Sequence, residues 1–285
     1  MAPASPHASR TLPARMLASL CAVVLVAVAT LAWTAPAAAA RGAVDHGEAQ
    51  RSGESLFAVN IDPSNEAAWQ QSPPARLADE GFRGVRFVSR QWIQPRIDDL
   101  KQAGLQVMAV VTDESGGYVP WNADYLQIGN EPDLPGTYLS PSAYADLWVL
   151  YRNTYPQFAG RFVMAGLASG GQNAVDYAAA VFAAIGGRAP LPDILAIHPY
   201  AKTSAQAAGD FDLMWNAAGR PVVATEWHNE EDTWNFQCML AGRSSVWNSV
   251  FSYTDAMVPG FGLRDGAGNP KSFYYSLLSA PASCR

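Results

Sequence analysis

Two glutamates follow short apolar runs at distant points of the chain. Glu131 ends the segment 124–131, and Glu226 ends the segment 221–226. A carboxylate at the end of a buried strand costs free energy unless it is paired or used in chemistry. Two carboxyl groups in one cleft can cleave a glycosidic bond, one as the proton donor and the other as a nucleophile or base. Glu131 and Glu226 are therefore our candidates for acid/base or nucleophilic chemistry on a sugar.

The elements that must position these glutamates follow an alternating α/β pattern. Because strands that alternate with helices pair in parallel through right-handed crossovers, eight such units predict a compact (β/α)8 TIM barrel. A doubly wound open sheet is the alternative. Candidate strands are residues 56–61, 84–88, 105–111, 125–129, 162–166, 194–197, 221–224 and 257–263, and candidate helices are residues 66–80, 94–103, 141–155, 173–185 and 204–218.

The interval 112–124 departs from the pattern. Gly116, Gly117 and Pro120 leave no room in it for an ordinary helix, so the third helix is predicted to be short or missing. Elsewhere the count of strands places Glu131 after strand four and Glu226 at the end of strand seven. The carboxyl ends of all barrel strands meet on one face, so both side chains can enter one cleft.

The first 40 residues are a separable unit. Arg10 and Arg15 precede an apolar stretch from residue 16 to 33, and small residues end at Ala40. This pattern predicts a signal peptide cleaved near Ala40 and a secreted, extracellular protein without stable membrane insertion; an uncleaved membrane anchor is the alternative. Residues 41–54 are interpreted as a flexible N-terminal arm and residues 55–285 as one catalytic domain.

Composition excludes several functions. The formal net charge is −6, which gives no electrostatic reason to bind nucleic acid. Only four histidines are present, one of them in the leader, so we expect no metal site and no cofactor. Outside the leader the cysteines are Cys238 and Cys284, which either form a disulfide outside the cell or remain buried thiols. We expect a monomer.

Three short motifs carry a family resemblance. They are Asn130-Glu131-Pro132, the run Ala-Ile-His-Pro-Tyr at 196–200, and Thr225-Glu226. They resemble the signatures of strands four, six and seven in clan A glycoside hydrolases, the retaining (β/α)8 enzymes that include families 5 and 39. The compact size and the string Asn-Glu-Pro-Asp-Leu at 130–134 also resemble the small family 128 glucanases.

The resemblance implies a role for each matching residue. Glu131 would be the general acid/base and Glu226 the nucleophile, with Asn130 hydrogen-bonded to the sugar 2-hydroxyl. Arg86, with Arg83 and Arg90 as alternatives, would keep the nucleophile ionised. The resemblance places a substrate-contacting histidine at His198 and, at Tyr200, a tyrosine whose hydroxyl steadies the nucleophile.

Aromatic side chains are candidates for sugar platforms, because sugar rings present apolar C–H faces. Trp121 and Trp227 are predicted in loops on the catalytic side. Clan A enzymes usually carry a tryptophan on strand eight beneath the sugar, and this chain offers Phe261 there instead.

Together these features predict a secreted retaining glycosidase that cleaves O-glycosidic bonds of an extracellular β-linked poly- or oligosaccharide. A non-catalytic glycan-binding barrel is the alternative. Transglycosylation also stays open, because a sugar can intercept a covalent intermediate.

Overall fold

The protein folds as a closed parallel β-barrel. The computed structural model describes residues 55–112, 115–200, 203–244 and 246–285. Within these residues eight strands pair in sequence order, and the last pairs with the first to close the barrel. The predicted compact (β/α)8 fold is confirmed. The predicted signal peptide (1–40) and N-terminal arm (41–54) lie outside the described residues.

Most strands begin and end close to the apolar runs that predicted them. Their interiors are rich in Val, Ile, Leu and Ala and are buried on both faces, as parallel strands require. The strands are β1 (Leu56–Asn60), β2 (Gly84–Val88), β3 (Gln106–Val111), β4 (Tyr125–Ile128), β5 (Phe162–Leu167), β6 (Ile194–Ile197), β7 (Val222–Trp227) and β8 (Trp247–Val250).

Helices connect most of the strands. The predicted helix 66–80 is two short helices, because Ser72 ends the first and the Pro73-Pro74 pair opens the second. In the described residues between β3 and β4 there is no α-helix, as predicted. The helices are α1 (Glu66–Gln71), α2 (Pro74–Asp79), α3 (Gln94–Gln102), α4 (Pro141–Thr154), α5 (Gly171–Ile185), α6 (Ser204–Ala218), α7 (Thr233–Arg243) and α8 (Ser272–Leu278).

The predicted position of the eighth strand, 257–263, is wrong. The strand is Trp247–Val250, and the predicted segment lies in the long loop that follows it. Within that loop the N–H of Phe261 donates to the carbonyl of Val258 at 3.2 Å, a turn around Pro259-Gly260. The sequence did not predict strand Trp247–Val250, because Asn248 and Ser249, although buried, are polar and interrupt its apolar pattern.

Two apolar clusters hold the barrel together. The smaller one fills the barrel interior and includes Leu56, Met108, Val163, Val223 and Trp247. The larger cluster lies between the strands and the surrounding helices. With one half of the interior filled by apolar side chains, the polar side chains of the strands are left to the carboxyl-terminal half, where barrel enzymes carry their active sites.

Helix α7 is tied to the end of the chain by a disulfide. Cys238 of α7 and Cys284 in the short 3-10 helix Ala282–Cys284 are joined by an S–S bond of 1.99 Å. The pair lies in the outer layer of the barrel. No helix in the described part of the chain is both long and apolar enough to cross a bilayer.

Candidate active site

A cavity of about 820 Å³ opens at the carboxyl ends of the strands. It contains both candidate catalytic glutamates. The other lining residues come from the loops after β6, β7 and β8: Tyr200, Thr203, His228, Asn229, Glu230, Glu231, Asp232, Phe251 and Phe261. The strand count therefore placed Glu131 and Glu226 correctly on one face.

Glu226 lies at the floor of the cavity and is only 7% exposed. Its Oε1 accepts a hydrogen bond from the Arg86 guanidinium at 2.5 Å, and its Oε2 accepts one from the Tyr200 hydroxyl at 2.7 Å. Burial raises the pKa of Glu226, but the charges of His198 and Arg86 and the hydrogen bonds from Tyr200 and Arg86 outweigh it. The pKa of Glu226 therefore lies below its ordinary value, and the carboxylate is ionised at neutral pH.

Tyr200 acts only as a donor in this network. Burial and the negative charge of Glu226 raise the pKa of the Tyr200 hydroxyl far above its ordinary value. The hydroxyl therefore keeps its proton. Both oxygens of Glu226 thus accept charge-stabilising hydrogen bonds, one from each side.

Arg86 is fixed by four side chains. Besides Glu226, its guanidinium donates to Oδ1 of Asn60 at 2.7 Å, Oε1 of Gln127 at 2.8 Å and Oδ1 of Asn130 at 2.6 Å. The structure thus brings Arg86 and Asn130 to the site. Sequence reasoning missed Asn60 and Gln127. Their signal was a lone polar residue in each of two otherwise apolar strand segments.

Glu131 lies beside His198. Its Oε1 is 2.8 Å from Nδ1 of His198, whose Nε2 is 3.0 Å from the hydroxyl of Thr225. Glu131 is also in the left-handed region, with φ of 47°. A non-glycine residue in such a conformation typically costs about 1–3 kcal/mol, which the surrounding contacts must offset.

Gly166 on β5 makes room for this pair. A Cβ atom at Gly166 would lie 1.9 Å from Nε2 of His198, closer than any real contact. The carbonyl of Gly166 also accepts the backbone N–H of Glu131 at 3.1 Å. Gly166 therefore leaves space for the His198 ring and also accepts a backbone hydrogen bond from Glu131.

The two carboxyl groups are close. One oxygen of Glu131, one oxygen of Glu226 and a ring nitrogen of His198 all lie within 4.8 Å of one another. Such a trio has the donor set of a metal site. However, both nitrogens of His198 already have partners, so a metal ion would have to replace the contact to Glu131 or Thr225. As it stands, the cluster is a pair of carboxyl groups with one carboxylate held ionised.

The family model described as "Glycosyl hydrolase catalytic core" matches residues 68–257. The chain belongs to this family. Among curated proteins, none matches the sequence of this glycosyl hydrolase.

Solved structures of glycoside hydrolases share the fold. An exo-β-1,3-glucanase of family 128, subgroup V, from Cryptococcus neoformans has 17% identity and a TM-score of 0.61, over 79% of this chain and 98% of that chain. An endo-β-1,3-glucanase of subgroup I from Amycolatopsis mediterranei, solved with laminaripentaose, has 19% identity and a TM-score of 0.56, over 80% and 100%. The family supports glycosidase activity, and the solved structures share the (β/α)8 fold of this chain.

The predicted place of Trp227 in the cleft of this glycosyl hydrolase is wrong. Trp227 is the last residue of β7, is fully buried, and stacks on Phe236 of α7 with ring centroids 5.3 Å apart. The pairing of β7 with β8 shifts register between Ala224 and Trp227. Across this irregularity Thr225 and Glu226 both contact site residues, while Trp227 packs outward. Such a shift re-aims side chains.

The two other predicted aromatic residues have different positions. Trp121 is 74% exposed, precedes β4, and does not line the cavity. Phe261 does line it, although on a loop rather than on a strand. Phe251, which follows β8 and was not predicted, stands beside it with ring centroids 5.9 Å apart. These two phenylalanines give the cavity an apolar wall.

The loop after β7 adds a group of polar residues to the cavity lining. It contributes Glu230, Glu231 and Asp232 together with His228. Nδ1 of His228 is 2.8 Å from the carbonyl of Phe251, and its ring lies 5.2 Å from that of Phe261. His228 therefore places this polar loop in contact with Phe251 and Phe261.

Proposed function

We propose that this glycosyl hydrolase is a retaining β-glycosidase that works by double displacement. The observation that carries the proposal is the short distance between the two carboxyl groups, whose nearest-placed oxygens lie within 4.8 Å. Retaining enzymes hold their carboxyl groups about 5–5.5 Å apart, whereas inverting enzymes leave about 6.5–9.5 Å for a water molecule. The geometry favours retention.

The roles of the two glutamates follow from their surroundings. Glu226 is buried and ionised by Arg86 and Tyr200, which suits a nucleophile that attacks the anomeric carbon. Glu131 is more exposed, with 23% of its side chain accessible, and can reach the leaving oxygen. Glu131 would donate its proton as the glycosidic bond breaks and then remove a proton from the water that releases the sugar from Glu226.

The proposed substrate is a β-1,3-linked glucan. The support is the shared fold: the endo-β-1,3-glucanase from Amycolatopsis mediterranei was solved with laminari-oligosaccharides, and the protein from Cryptococcus neoformans is named an exo-β-1,3-glucanase. The cavity lining also suits a sugar chain, since it combines the apolar rings of Phe251 and Phe261 with carboxylates that can accept hydrogen bonds from sugar hydroxyl groups. Product analysis distinguishes cleavage inside the glucan from cleavage at its end.

The test is reducing-sugar release by the chain from Arg41 onward. The panel contains laminarin, curdlan, β-1,4-glucan, mannan and xylan, and Glu226→Gln is assayed beside the wild type. A matched control is Glu66→Gln, which changes an exposed carboxylate paired with Arg96 outside the cavity. We expect activity on laminarin or curdlan, lost in Glu226→Gln and kept in Glu66→Gln.

Two other results would redirect the proposal. Full activity in Glu226→Gln would exclude it as the nucleophile. Binding of a glycan without any product would instead support the alternative of a non-catalytic glycan-binding barrel. Product analysis at high oligosaccharide concentration separates hydrolysis from transglycosylation, which gives chains longer than the substrate.

We also propose that the enzyme is secreted and acts outside the cell as a monomer after cleavage near Ala40. The support is the charge and apolar pattern of residues 1–40, together with a disulfide between Cys238 and Cys284, which is typical of oxidising compartments. Amino-terminal sequencing of the protein recovered from the medium, with its mass in solution, tests both points. A chain that stays in the membrane with residues 1–40 attached would contradict secretion.

A further inference from the structure

The short segment 131–133 is hydrogen-bonded at both of its ends to the residues that end β5 and follow it. On one side, the N–H of Glu131 donates to the carbonyl of Gly166 in β5. Two residues later, the carboxylate of Asp133 accepts the backbone N–H groups of Ala168 at 3.1 Å and Ser169 at 2.8 Å. Residues 131–133 are therefore fastened to the end of β5 by three hydrogen bonds.

The left-handed backbone of Glu131 makes this fastening matter. With φ of 47°, Glu131 is in a region that a non-glycine residue leaves readily unless its neighbours hold it. Further contacts in the same loop are the Thr137 hydroxyl, which donates to the Glu131 carbonyl, and the Leu139 N–H, which donates to the Pro132 carbonyl at 3.0 Å. The Asp133 side chain accepts the two hydrogen bonds that join this loop to the residues after β5.

We propose that Asp133 is a positioning residue for the acid/base Glu131. Its carboxylate does not line the cavity, so it would act through the Glu131 backbone rather than on the sugar. This inference rests on the proposed function, because it requires Glu131 to be the proton donor. A misplacement of about 1 Å in a catalytic group can lower a rate roughly 100-fold.

A positioning role differs from a purely structural one in its dependence on the leaving group. A natural glucan leaves as a poor alkoxide and needs the proton from Glu131. A dinitrophenyl glycoside leaves without protonation, so kcat/KM for this substrate does not depend on the acid. Loss of Asp133 should therefore lower kcat/KM for laminari-oligosaccharides and spare kcat/KM for dinitrophenyl β-laminaribioside.

The experiment compares Asp133→Ala and the milder Asp133→Asn with a matched control. Asp193 is another carboxylate that accepts backbone N–H groups, those of Gly160 at 3.0 Å and Phe162 at 3.1 Å, but at the amino-terminal end of the barrel. Asp193→Asn should therefore lower the melting temperature without changing the ratio of the two kcat/KM values. Glu131→Gln serves as the reference for complete loss of the acid.

We expect Asp133→Ala to lose roughly 10–100-fold in kcat/KM on laminarihexaose and less than about 2-fold on the dinitrophenyl substrate. Azide should raise kcat on the dinitrophenyl substrate, because it replaces the water that Glu131 would deprotonate. If Asp133→Ala does not fold, Asp133→Asn should show the same selectivity with a smaller loss.

Equal losses on both substrates, or no loss on either, would overturn the role of Asp133. The proposed function fails separately: in that case Glu131→Gln itself would show no selectivity between the two substrates, whatever Asp133 does. The two failures are therefore distinguishable in one set of assays.

Discussion

At the scale of single residues, the ionisation of Glu226 depends on neighbours that come from different strands. Arg86 is on β2, Tyr200 follows β6, and both donate to its carboxylate. The motifs around Glu131 and Glu226 made these two residues predictable. The supporting Asn60 and Gln127 were not, because a single polar residue in a strand does not reveal whether it faces the barrel interior or a helix.

Replacing Tyr200 by phenylalanine tests this network. The change removes the hydrogen bond to Oε2 of Glu226, which at present helps to lower the pKa of that carboxyl. Without it the pKa of Glu226 rises, so protonation begins at higher pH and the acid limb of the kcat/KM profile moves to higher pH. We also expect kcat/KM at the optimum to fall roughly 10-fold, as for loss of a hydrogen bond to a charged group.

The measurement is kcat/KM on laminari-oligosaccharides as a function of pH. The control is Tyr275→Phe, which removes the hydroxyl of an exposed tyrosine on α8. Its profile should overlay that of the wild type. An unchanged acid limb in Tyr200→Phe would mean that this hydroxyl does not help to set the ionisation of Glu226.

At the scale of elements, the strands could be predicted where apolar residues predominate, and seven of the eight were. Strand β8 could not, because its buried Asn248 and Ser249 break the pattern while the segment 257–263 in the following loop contains Met, Val, Phe and Leu. The position of Trp227 also escaped prediction, since a register irregularity between β7 and β8 leaves no mark in the sequence. Trp121 precedes β4 and does not line the cavity.

A substitution at Gly166 of strand β5 tests whether catalysis requires His198 beside Glu131. In Gly166→Ala the new methyl group would occupy the place of His198, so the imidazole must move away from Glu131. We expect kcat/KM to fall roughly 100-fold or more, as for a displaced catalytic contact. Steady-state kinetics with a melting curve checks the result.

The matched control for this change is Gly209→Ala in helix α6. A Cβ atom at Gly209 meets nothing within 4 Å, so the substitution should leave kinetics unchanged. It should also stabilise the fold by roughly 0.5–1 kcal/mol, because alanine favours the helix. Wild-type kinetics in Gly166→Ala would show that His198 is not required where the structure has it.

At the scale of the whole molecule, the alternation of strands and helices was enough to predict a closed barrel and the face that carries the site. The sequence did not decide whether Cys238 and Cys284 form a disulfide, because the presence of two cysteines does not reveal whether they are close in space. The structure joins Cys238 to Cys284 across 46 residues of sequence. The bond fastens the C-terminal segment to α7, and neither cysteine lines the cavity.

Removing this disulfide should therefore affect stability and not catalysis. A cross-link over a loop of this length typically stabilises a protein by about 2–4 kcal/mol. We expect Cys238→Ser with Cys284→Ser to lower the free energy of unfolding by that amount in urea titrations, with kcat/KM unchanged. If the wild type with and without a reducing agent unfolds at the same urea concentration, the cross-link does not contribute to stability.

The central claim is that Glu226 forms the covalent glycosyl intermediate of a retaining enzyme. The most direct measurement is peptide mass spectrometry after incubation with an activated 2-deoxy-2-fluoro-β-laminaribioside, which slows release of the intermediate. We predict one laminaribiosyl label, on Glu226, and no label in Glu226→Gln. A label on another residue, or steady hydrolysis of laminari-oligosaccharides with inversion at the anomeric carbon, would contradict the account.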